Sequence, residues 1–170
     1  MSTIPQAKDP IIIELERICK EDLDIPCSFM EANLGEANLG VDDKEPGSFP
    51  MLLFITTSKN RSRKIESDVI IRKAQVTCML LDARQATPKS GTETSDYMSS
   101  EINDQLNRMR LLGENLWFWI NRSSLSINGG VDDWASDPVY ERFDADLIGQ
   151  AIQFDWTIDT HSTGHYNVAP

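Results

Sequence analysis

The spacing of apolar residues near the start of the chain predicts a helix. Four of them recur at helical intervals on one stripe, namely Ile11, Leu15, Ile18 and Cys19. Asp9 has a side chain typical of a helix N-cap. Pro10 suits the first helical position, because the N–H that it lacks would be unpaired there in any case. We therefore predict a helix from about residue 10 to residue 23.

Three segments that follow have the patterns of strands. A short alternation over residues 25–29 predicts the first, and the continuous apolar run of residues 49–57 predicts a buried strand with Pro50 at its start. The period changes to two over residues 68–82, where one face is formed by Ile70, Ala74, Val76, Cys78 and Leu80. Residues 58–67 are polar, so the last two strands are predicted to form an antiparallel hairpin with a long polar tip.

The second helix is predicted from about residue 98 to residue 121. Its core-facing stripe recurs every three or four residues and comprises Met98, Ile102, Leu106, Met109, Leu112, Leu116 and Ile120. Trp117, Phe118 and Trp119 cannot all face one core, because consecutive helical positions point about 100° apart. We predict that Trp117 and Phe118 share a buried face, which leaves Trp119 for a surface contact. The alternative is an aromatic layer that covers the end of the helix.

Two more strands are predicted after this helix. The stretch Asn128-Gly129-Gly130 is a strong turn signal. Beyond it, alternating apolar and polar residues predict strands at 139–147 and 152–159, paired through a short turn near Gly149.

The order of these elements is helix, strand pair, helix, strand pair, which predicts an α+β fold. We expect a four- to five-stranded, mostly antiparallel sheet with both helices packed on one face and with long loops. The 170 residues suggest one domain. We divide the chain into an N-terminal arm (1–9), a single α+β domain (10–159) and a C-terminal tail (160–170).

The segment Glu31–Gly35 is repeated at once as Glu36–Gly40. Two copies of so short a phrase are too few for a binding repeat. Such an insertion would break strand register or helix phase inside a core, whereas an exposed loop tolerates it because closure entropy grows slowly with loop length. We therefore expect the repeat to lie in an exposed loop, where it is open to use in contacts.

Composition and charge narrow the possible functions. The net charge of −11 disfavours a general nucleic-acid coat, and it disfavours binding to an anionic membrane. We expect neither a membrane span nor a secretion signal, because no apolar run is long enough for either. The three cysteines are an odd number at irregular spacings, which indicates reduced thiols in a protein made in a cytosol.

No motif in the sequence predicts catalysis. His161 and His165 are four residues apart, as metal ligands on a helix can be, but Gly164 and the surrounding tail disfavour a helix. Asp155 and Asp159 lie on the polar side of the last predicted strand, where acid/base groups and ordinary solvent-facing carboxylates are both found. We therefore predict that the protein is not an enzyme and that it has no catalytic residues, no metal site and no cofactor.

One basic constellation stands out from the acidic background. Four positive charges at the proposed hairpin tip come from Lys59, Arg61, Arg63 and Lys64. They would keep a loop soluble and discourage edge pairing, or they would contact an acidic neighbouring subunit or the phosphates of a nucleic acid. Exposed aromatic residues mark interfaces, so Trp119 and Trp134 join them as candidate subunit or DNA contacts.

The order of elements and three strand phrases carry a family resemblance. After the N-terminal helix come "FPMLLF", then "SDVIIRKAQVTCMLLDAR", an amphipathic helix and the closing pair "VYERFDADLIGQAIQFDWTID". This layout, over about residues 10–159, resembles the small tail-terminator and tail-completion proteins of tailed bacteriophages and the neck-ring proteins of crAss-like phages. The chain departs from them in the insertion with the repeat, in the 83–99 loop and in "SINGGVDDW".

The resemblance implies a structural virion protein of the neck or tail junction, with no catalytic residues to carry over. Such proteins form homo-oligomeric rings of six or twelve copies between portal and tail. Expected partners are sister copies and other phage neck, portal or tail proteins, with no membrane. DNA would pass through the lumen without sequence-specific binding, and the protein would be made in the host cytoplasm and reside in the virion. The alternatives are a small cytosolic enzyme of unknown class and a host protein–protein adaptor.

Overall fold

The computed structural model describes residues 8–33, 49–56, 60–65, 69–84, 100–140 and 147–159. Within these ranges the chain forms two α-helices and six strands. The helices are α1 (Pro10–Arg17), which continues as a π-helical turn (Ile18–Asp22), and α2 (Ser100–Arg122). The strands are β1 (Ser28–Ala32), β2 (Met51–Ile55), β3 (Asn60–Ile65), β4 (Val69–Ala83), β5 (Ser126–Tyr140) and β6 (Leu147–Asp159).

The strands form one curled sheet that resembles half of a barrel. Its order is β1-β2-β4-β6-β5, and β3 pairs with β4 on the same side as β2. The pairing of β1 with β2 is parallel, and every other pairing is antiparallel. The predicted α+β class and mostly antiparallel sheet are confirmed. The predicted number of four or five strands is too low.

The longest pairing joins β4 to β6 at the centre of the sheet. Every residue of β6 has a partner in β4, from Leu147 opposite Ala83 to Asp159 opposite Ile71. Alternation follows from this register, because side chains that face each other across an antiparallel pair lie on the same face. One face is lined by Ala74, Val76, Cys78, Leu80, Ile152, Phe154, Trp156 and Ile158, all of them buried.

Both helices cover this face and complete the main core. The predicted stripe of α1 is buried, and so are the predicted α2 residues from Ile102 to Ile120. Met98 lies outside the described residues. Apolar burial of about 25 cal/mol per Å² makes this layer the main source of stability.

The opposite face is apolar at one end and polar at the other. A second buried cluster comprises Leu53, Ile55, Met79, Leu81 and Leu147. Further along β4, the half-exposed residues Lys73, Gln75 and Thr77 occupy the same face. The wet patch predicted for the middle of this strand is therefore confirmed.

Asp9 links the start of α1 to the sheet. Its carboxylate accepts a hydrogen bond from the Ile11 backbone N–H at 3.0 Å, as predicted for an N-cap. It also accepts two hydrogen bonds from the Arg72 guanidinium of β4, at 3.0 and 2.6 Å. Because the pair is bidentate, it fixes direction as well as distance.

The polar segment predicted as a hairpin tip contains a strand. Residues 60–65 form β3, which pairs from Asn60 opposite Ala74 to Ile65 opposite Val69. Strand β4 continues well beyond its pairing with β2, and the backbone groups along that stretch need partners of their own. A polar sequence satisfies them as well as an apolar one, since the ladder is made by the main chain. The predicted antiparallel pairing of the strands at 49–57 and 68–82 is confirmed, whereas residues 60–65 of the predicted tip form a strand of the sheet.

The predictions for the final strands were wrong in two places. Asn128-Gly129-Gly130 lies inside β5, where the register shifts between Ser126 and Val131 and Gly130 has a φ of 73°. The glycines therefore lie at a register irregularity within a strand and do not form a hairpin turn. Gly149 is not in a turn either, since it pairs with Leu81 inside β6. Residues 141–146, part of the strand predicted at 139–147, lie outside the described residues.

The repeat is only partly described. Glu31 and Ala32 belong to β1, so the first copy begins in the sheet, which corrects the expectation that the whole repeat lies in a loop. Residues 34–48, 85–99, 1–7 and 160–170 are outside the described residues, and so are His161 and His165.

Gly149 should be irreplaceable at the centre of the sheet. A Cβ atom at this position would lie 1.8 Å from the Leu80 carbonyl oxygen. We predict that Gly149→Ala lowers the free energy of unfolding by about 3 kcal/mol or more in urea denaturation. The control is Gly113→Ala in α2, whose Cβ would meet Ile152 Cδ1 at 3.5 Å; it should be neutral or stabilising by up to about 1 kcal/mol. Equal stability of the two variants would contradict this packing.

Glu14 joins α1 to the turn after α2 and should make stability depend on pH. It accepts hydrogen bonds from Arg17 at 2.8 and 3.0 Å and from Ser123 Oγ at 2.8 Å. The hydrogen bond from Arg17 is the main reason that the pKa of the Glu14 carboxyl is lowered. A carboxyl with a depressed folded-state pKa stabilises the fold above its unfolded-state pKa of about 4.3. That contribution is lost as the pH falls through the folded-state value.

We therefore predict that the wild type loses part of its stability through Glu14 as the pH falls below about 4.3 and through the lower folded-state pKa. The Glu14→Gln variant should be less stable at pH 7 and should lose less on acidification. Urea denaturation at several pH values measures both. Parallel curves for the two proteins would rule out this coupling.

Candidate functional site

The sheet has two lateral edges at the same level of the fold. Reading across one row, Asn60 of β3 pairs with Ala74, Ala74 pairs with Trp156, and Trp156 pairs with Val131 of β5. Within the described part of the chain, β3 pairs only with β4, and β5 pairs only with β6. The outward backbone groups of β3 and β5 therefore face in opposite directions from one four-stranded region.

The two edges carry opposite charges. The sequence of β3 contributes Arg61, Arg63 and Lys64, while Lys59 lies just outside the described residues. On β5 the exposed acidic residues are Asp132, Asp133 and Asp137. The basic constellation found in the sequence is thus an edge strand, and an acidic edge strand lies on the opposite side of the sheet.

Asp155 takes part in an ion cluster on the sheet face away from the helices. Lys73 Nζ lies 3.2 Å from Asp155 Oδ2 and 3.8 Å from Asp132 Oδ2. The hydrogen bond to Asp155 is the main reason that the pKa of Lys73 is raised. Asp159 is four residues further along the same strand, about 13 Å away by strand geometry. The backbone positions of these two residues, which were considered for acid/base chemistry, are therefore well separated along β6.

The aromatic residues at the end of α2 are arranged differently from the prediction. Trp117 and Phe118 are 44% and 40% exposed, whereas Trp119 is partly buried and packs against the main core. Position 118 lies opposite the stripe of Leu116 and Ile120, whereas positions 117 and 119 flank that stripe at about 80° on either side. The stripe alone therefore does not decide between Trp117 and Trp119, and the packing of the folded chain places Trp119 on the core side. The prediction that Trp119 is the outward residue was therefore wrong. A role for it in contacts stays a prediction.

Trp119 and Phe118 also differ in their contacts. The Trp119 indole N–H is buried and has no hydrogen-bond partner within the described residues. Its ring meets Phe118 edge to face at 5.3 Å, and the Arg122 guanidinium lies 4.2 Å above the Phe118 ring. Cation–π contact with an exposed ring contributes about 0.5–1 kcal/mol, so Arg122 helps to hold Phe118 at the surface.

Trp134 lies in β5 and not in a loop. Its ring stacks on Phe154 at a centroid distance of 5.1 Å and is partly buried against the main core. Because the ring is anchored in the core, Trp134 forms a rigid wall. Its remaining exposed surface borders a groove between α2 and β5.

This α2–β5 groove has a volume of about 720 Å³. One wall belongs to α2 and the other to β5, with one residue of β6 between them. The lining comprises Asn103, Leu106, Asn107, Arg110, Gly113, Glu114, Trp134, Ser136, Pro138 and Gln150. The groove runs beside the acidic edge of the sheet.

The chemistry of the groove is mostly that of neutral amides. Gln150 is only 5% exposed, and its Oε1 accepts a hydrogen bond from Ser136 Oγ at 2.9 Å. Among the described residues, nothing accepts a hydrogen bond from Gln150 Nε2. Arg110 forms a salt bridge with Glu114, so these two charges largely neutralise each other. The groove therefore offers donors and acceptors without a net charge.

This groove was not predicted from the sequence. Asn103, Asn107, Arg110 and Glu114 recur every three or four residues, beside the apolar stripe of α2. That polar stripe could have indicated that this flank of α2 lines a polar groove. It had no visible counterpart, because residues 134–138 of β5, which form the other wall, were not predicted to belong to a strand.

The three cysteines are free and buried. Burial raises the pKa of Cys27 and of Cys78 to about 12 and raises that of Cys19 as well. They are therefore unreactive core residues at neutral pH. In the part of the chain that the structure describes, no cluster of His, Cys, Asp and Glu is suited to a metal ion.

Neither described helix is long and apolar enough to cross a membrane. Comparison with known proteins assigns no relationship: no protein-family model matches the chain, and no curated protein matches it significantly. Functional inference therefore starts from the two edges and the groove.

Proposed function

We propose that the protein is a structural subunit that assembles head to tail with copies of itself into a ring, as part of the neck or tail junction of a tailed bacteriophage. The observation that supports this most directly is the opposite charge of the two sheet edges. Basic β3 and acidic β5 flank the same two central strands, β4 and β6. One edge of a subunit is thus complementary to the other edge of its neighbour.

Complementary patches on opposite sides of a subunit favour a heterologous contact. Such contacts generate closed rings when the rotation between neighbours closes, and open filaments when it does not. Unpaired edge strands are also templates for strand addition, because their backbone N–H and C=O groups lack partners. Charge then selects the partner, since like edges repel and unlike edges attract.

The phage context is supported by the layout of the chain and by its charge. The order of helix, hairpin, helix and strand pair resembles that of tail-terminator, tail-completion and neck-ring proteins. A ring of subunits that each have a net charge of −11 would repel DNA from the lumen wall, so a duplex could slide through it without binding. The copy number of six or twelve and the portal or tail neighbours belong to the same proposal.

Charge reversal at one edge tests the assembly. We predict that Asp132→Lys with Asp137→Lys weakens self-association at least tenfold, because both edges then carry positive charge. Arg61→Glu with Arg63→Glu should do the same, and the combination of all four changes should restore association. Analytical ultracentrifugation gives the affinity, and native mass spectrometry gives the copy number.

The matched control is Asp24→Lys with Asp104→Lys, which changes the net charge equally at exposed positions off the edges. It should have little effect beyond that of net charge. If the variant with all four changes self-associates as weakly as the two double variants, complementarity of the edges is not the cause of association. A wild-type chain that remains monomeric at about millimolar concentration would contradict self-assembly.

A second candidate is an adaptor that binds another protein. Exposed apolar residues surround the contact where Asn115 Oδ1 accepts a hydrogen bond from the Asp24 N–H at 3.1 Å. Leu111 and Phe118 lie one turn before and one turn after Asn115, and Ile25 follows Asp24. Such patches are typical of interaction surfaces. If Phe118→Ser abolished binding to another protein without changing self-association, the adaptor role would be favoured.

A further inference from the structure

We infer that the α2–β5 groove and the adjacent β5 edge receive the β3 strand of a second copy of this chain. This inference rests on the head-to-tail assembly proposed above and specifies its contact. The two strands would pair main chain to main chain, so the sheet of one subunit continues into the next. Side chains of the incoming strand would enter the groove.

The position of the groove follows from strand geometry. A strand added to β5 would lie about 4.8 Å beyond it, and alternate side chains would point toward the helix-covered face. That face of β5 presents Trp134, Ser136 and Pro138, all of which line the groove. The polar flank of α2 lies opposite. Any strand that extends this sheet therefore places every second side chain between α2 and β5.

The dimensions fit a segment of the length of β3. The lining residues of α2 run from Asn103 to Glu114, which spans about 16 Å at 1.5 Å per residue. The six residues of β3 extend over about 20 Å. A volume of about 720 Å³ is within the usual range of binding sites, about 300–1,000 Å³. Both length and volume thus admit one short strand.

The chemistry also fits a polar strand. Gln150 is only 5% exposed as a residue, and its Oε1 is held by the Ser136 hydroxyl, so its amide is fixed in orientation beside the groove. Asn103 and Asn107 add further amides on the helix wall, one turn apart. Amides supply a donor and an acceptor each, so they can pair with the main chain or with side chains such as Asn and Ser. The sequence of β3, NRSRKI, has that polar character.

Charge selects β3 over an anionic ligand. Arg110 is already paired with Glu114, and Asp137 is exposed on the neighbouring edge. A phosphate would meet little uncompensated positive charge there. A strand with three positive residues would instead be attracted. Within one chain β3 and β5 lie at opposite edges, so the occupant has to come from a second copy.

A synthetic peptide of residues 58–67 tests this contact directly. The receptor is the full chain with Arg61→Glu and Arg63→Glu, so that its own β3 does not compete. We predict saturable binding that shifts the NMR signals of the Trp134 indole N–H and the Gln150 side-chain amide, while the buried Trp156 indole stays unchanged. Asn107→Arg in the receptor should weaken binding at least tenfold. Ser124→Arg, which changes charge equally in the exposed turn after α2, should not.

A second peptide separates strand addition from simple charge attraction. Ser62→Pro keeps every charge of the peptide but removes a backbone donor and disfavours a strand. It should bind at least tenfold more weakly. Equal binding of the two peptides, or shifts confined to residues away from the groove, would overturn the inference.

The same experiments distinguish the inference from the proposed function. If native mass spectrometry of the wild type finds a ring and the peptide leaves the groove signals unchanged, assembly stands and this contact is wrong. If the peptide does not bind and the wild type does not self-associate, both are wrong. If the peptide binds, and if introducing Asn107→Arg into the otherwise wild-type chain abolishes the ring, both the assembly and this contact are supported.

Discussion

The antiparallel ladder between β4 and β6 is the constraint on which the rest of the structure depends. It pairs residues 71–83 with residues 147–159 without a register shift. Both helices pack on one of its faces, and the strands on either side are attached to it. Gly149 fits at its tightest point because the Leu80 carbonyl leaves no room for a side chain. A slip of this ladder by one residue would move the Trp156 and Phe154 rings from the core to the opposite face.

The ladder also separates the two charged edges. Because β4 and β6 are the middle strands, β3 and β5 can only attach on opposite sides. The two edges of such a sheet differ in charge. A translated or rotated second copy can therefore place its basic edge against the acidic edge of the first. Thus the packing that makes the subunit stable also sets the direction in which copies would join. The cores remain intact in such an assembly, since it would use only the strand edges and the α2–β5 groove.

The helices and strands that bury a regular pattern of apolar residues were predictable from the sequence. Asp9, Pro10 and the stripe of α1 specify that helix, and the stripe of α2 specifies its buried face. Strands β2, β4 and β6 were recognisable because they bury large apolar residues at the expected period. The sequence pattern did not predict strands that are held in the sheet mainly by main-chain hydrogen bonds. Strand β3 is polar, and β5 contains two glycines and a proline, so neither has a strand signature.

The same limit applies to the candidate site. The four basic residues were visible in the sequence, but their position opposite an acidic edge depends on long-range pairing through β4 and β6. Trp119 was predicted to face outward and packs inward instead. The stripe of Leu116 and Ile120 leaves positions 117 and 119 about equally far from its centre, so only the packing of the folded chain decides between them. The groove depends on β5 lying beside α2. No local pattern reports that juxtaposition.

The central claim is that unlike edges of neighbouring copies meet. Cross-linking with a short bismaleimide tests it most directly, using Ser62→Cys on β3 and Ala135→Cys on β5. The native thiols are buried and should not react. The chain with both changes should give a ladder of covalent multimers, and the two single variants should cross-link to each other but not to themselves. Cross-linked dimers of each single variant, or no cross-links in the double variant, would contradict the account.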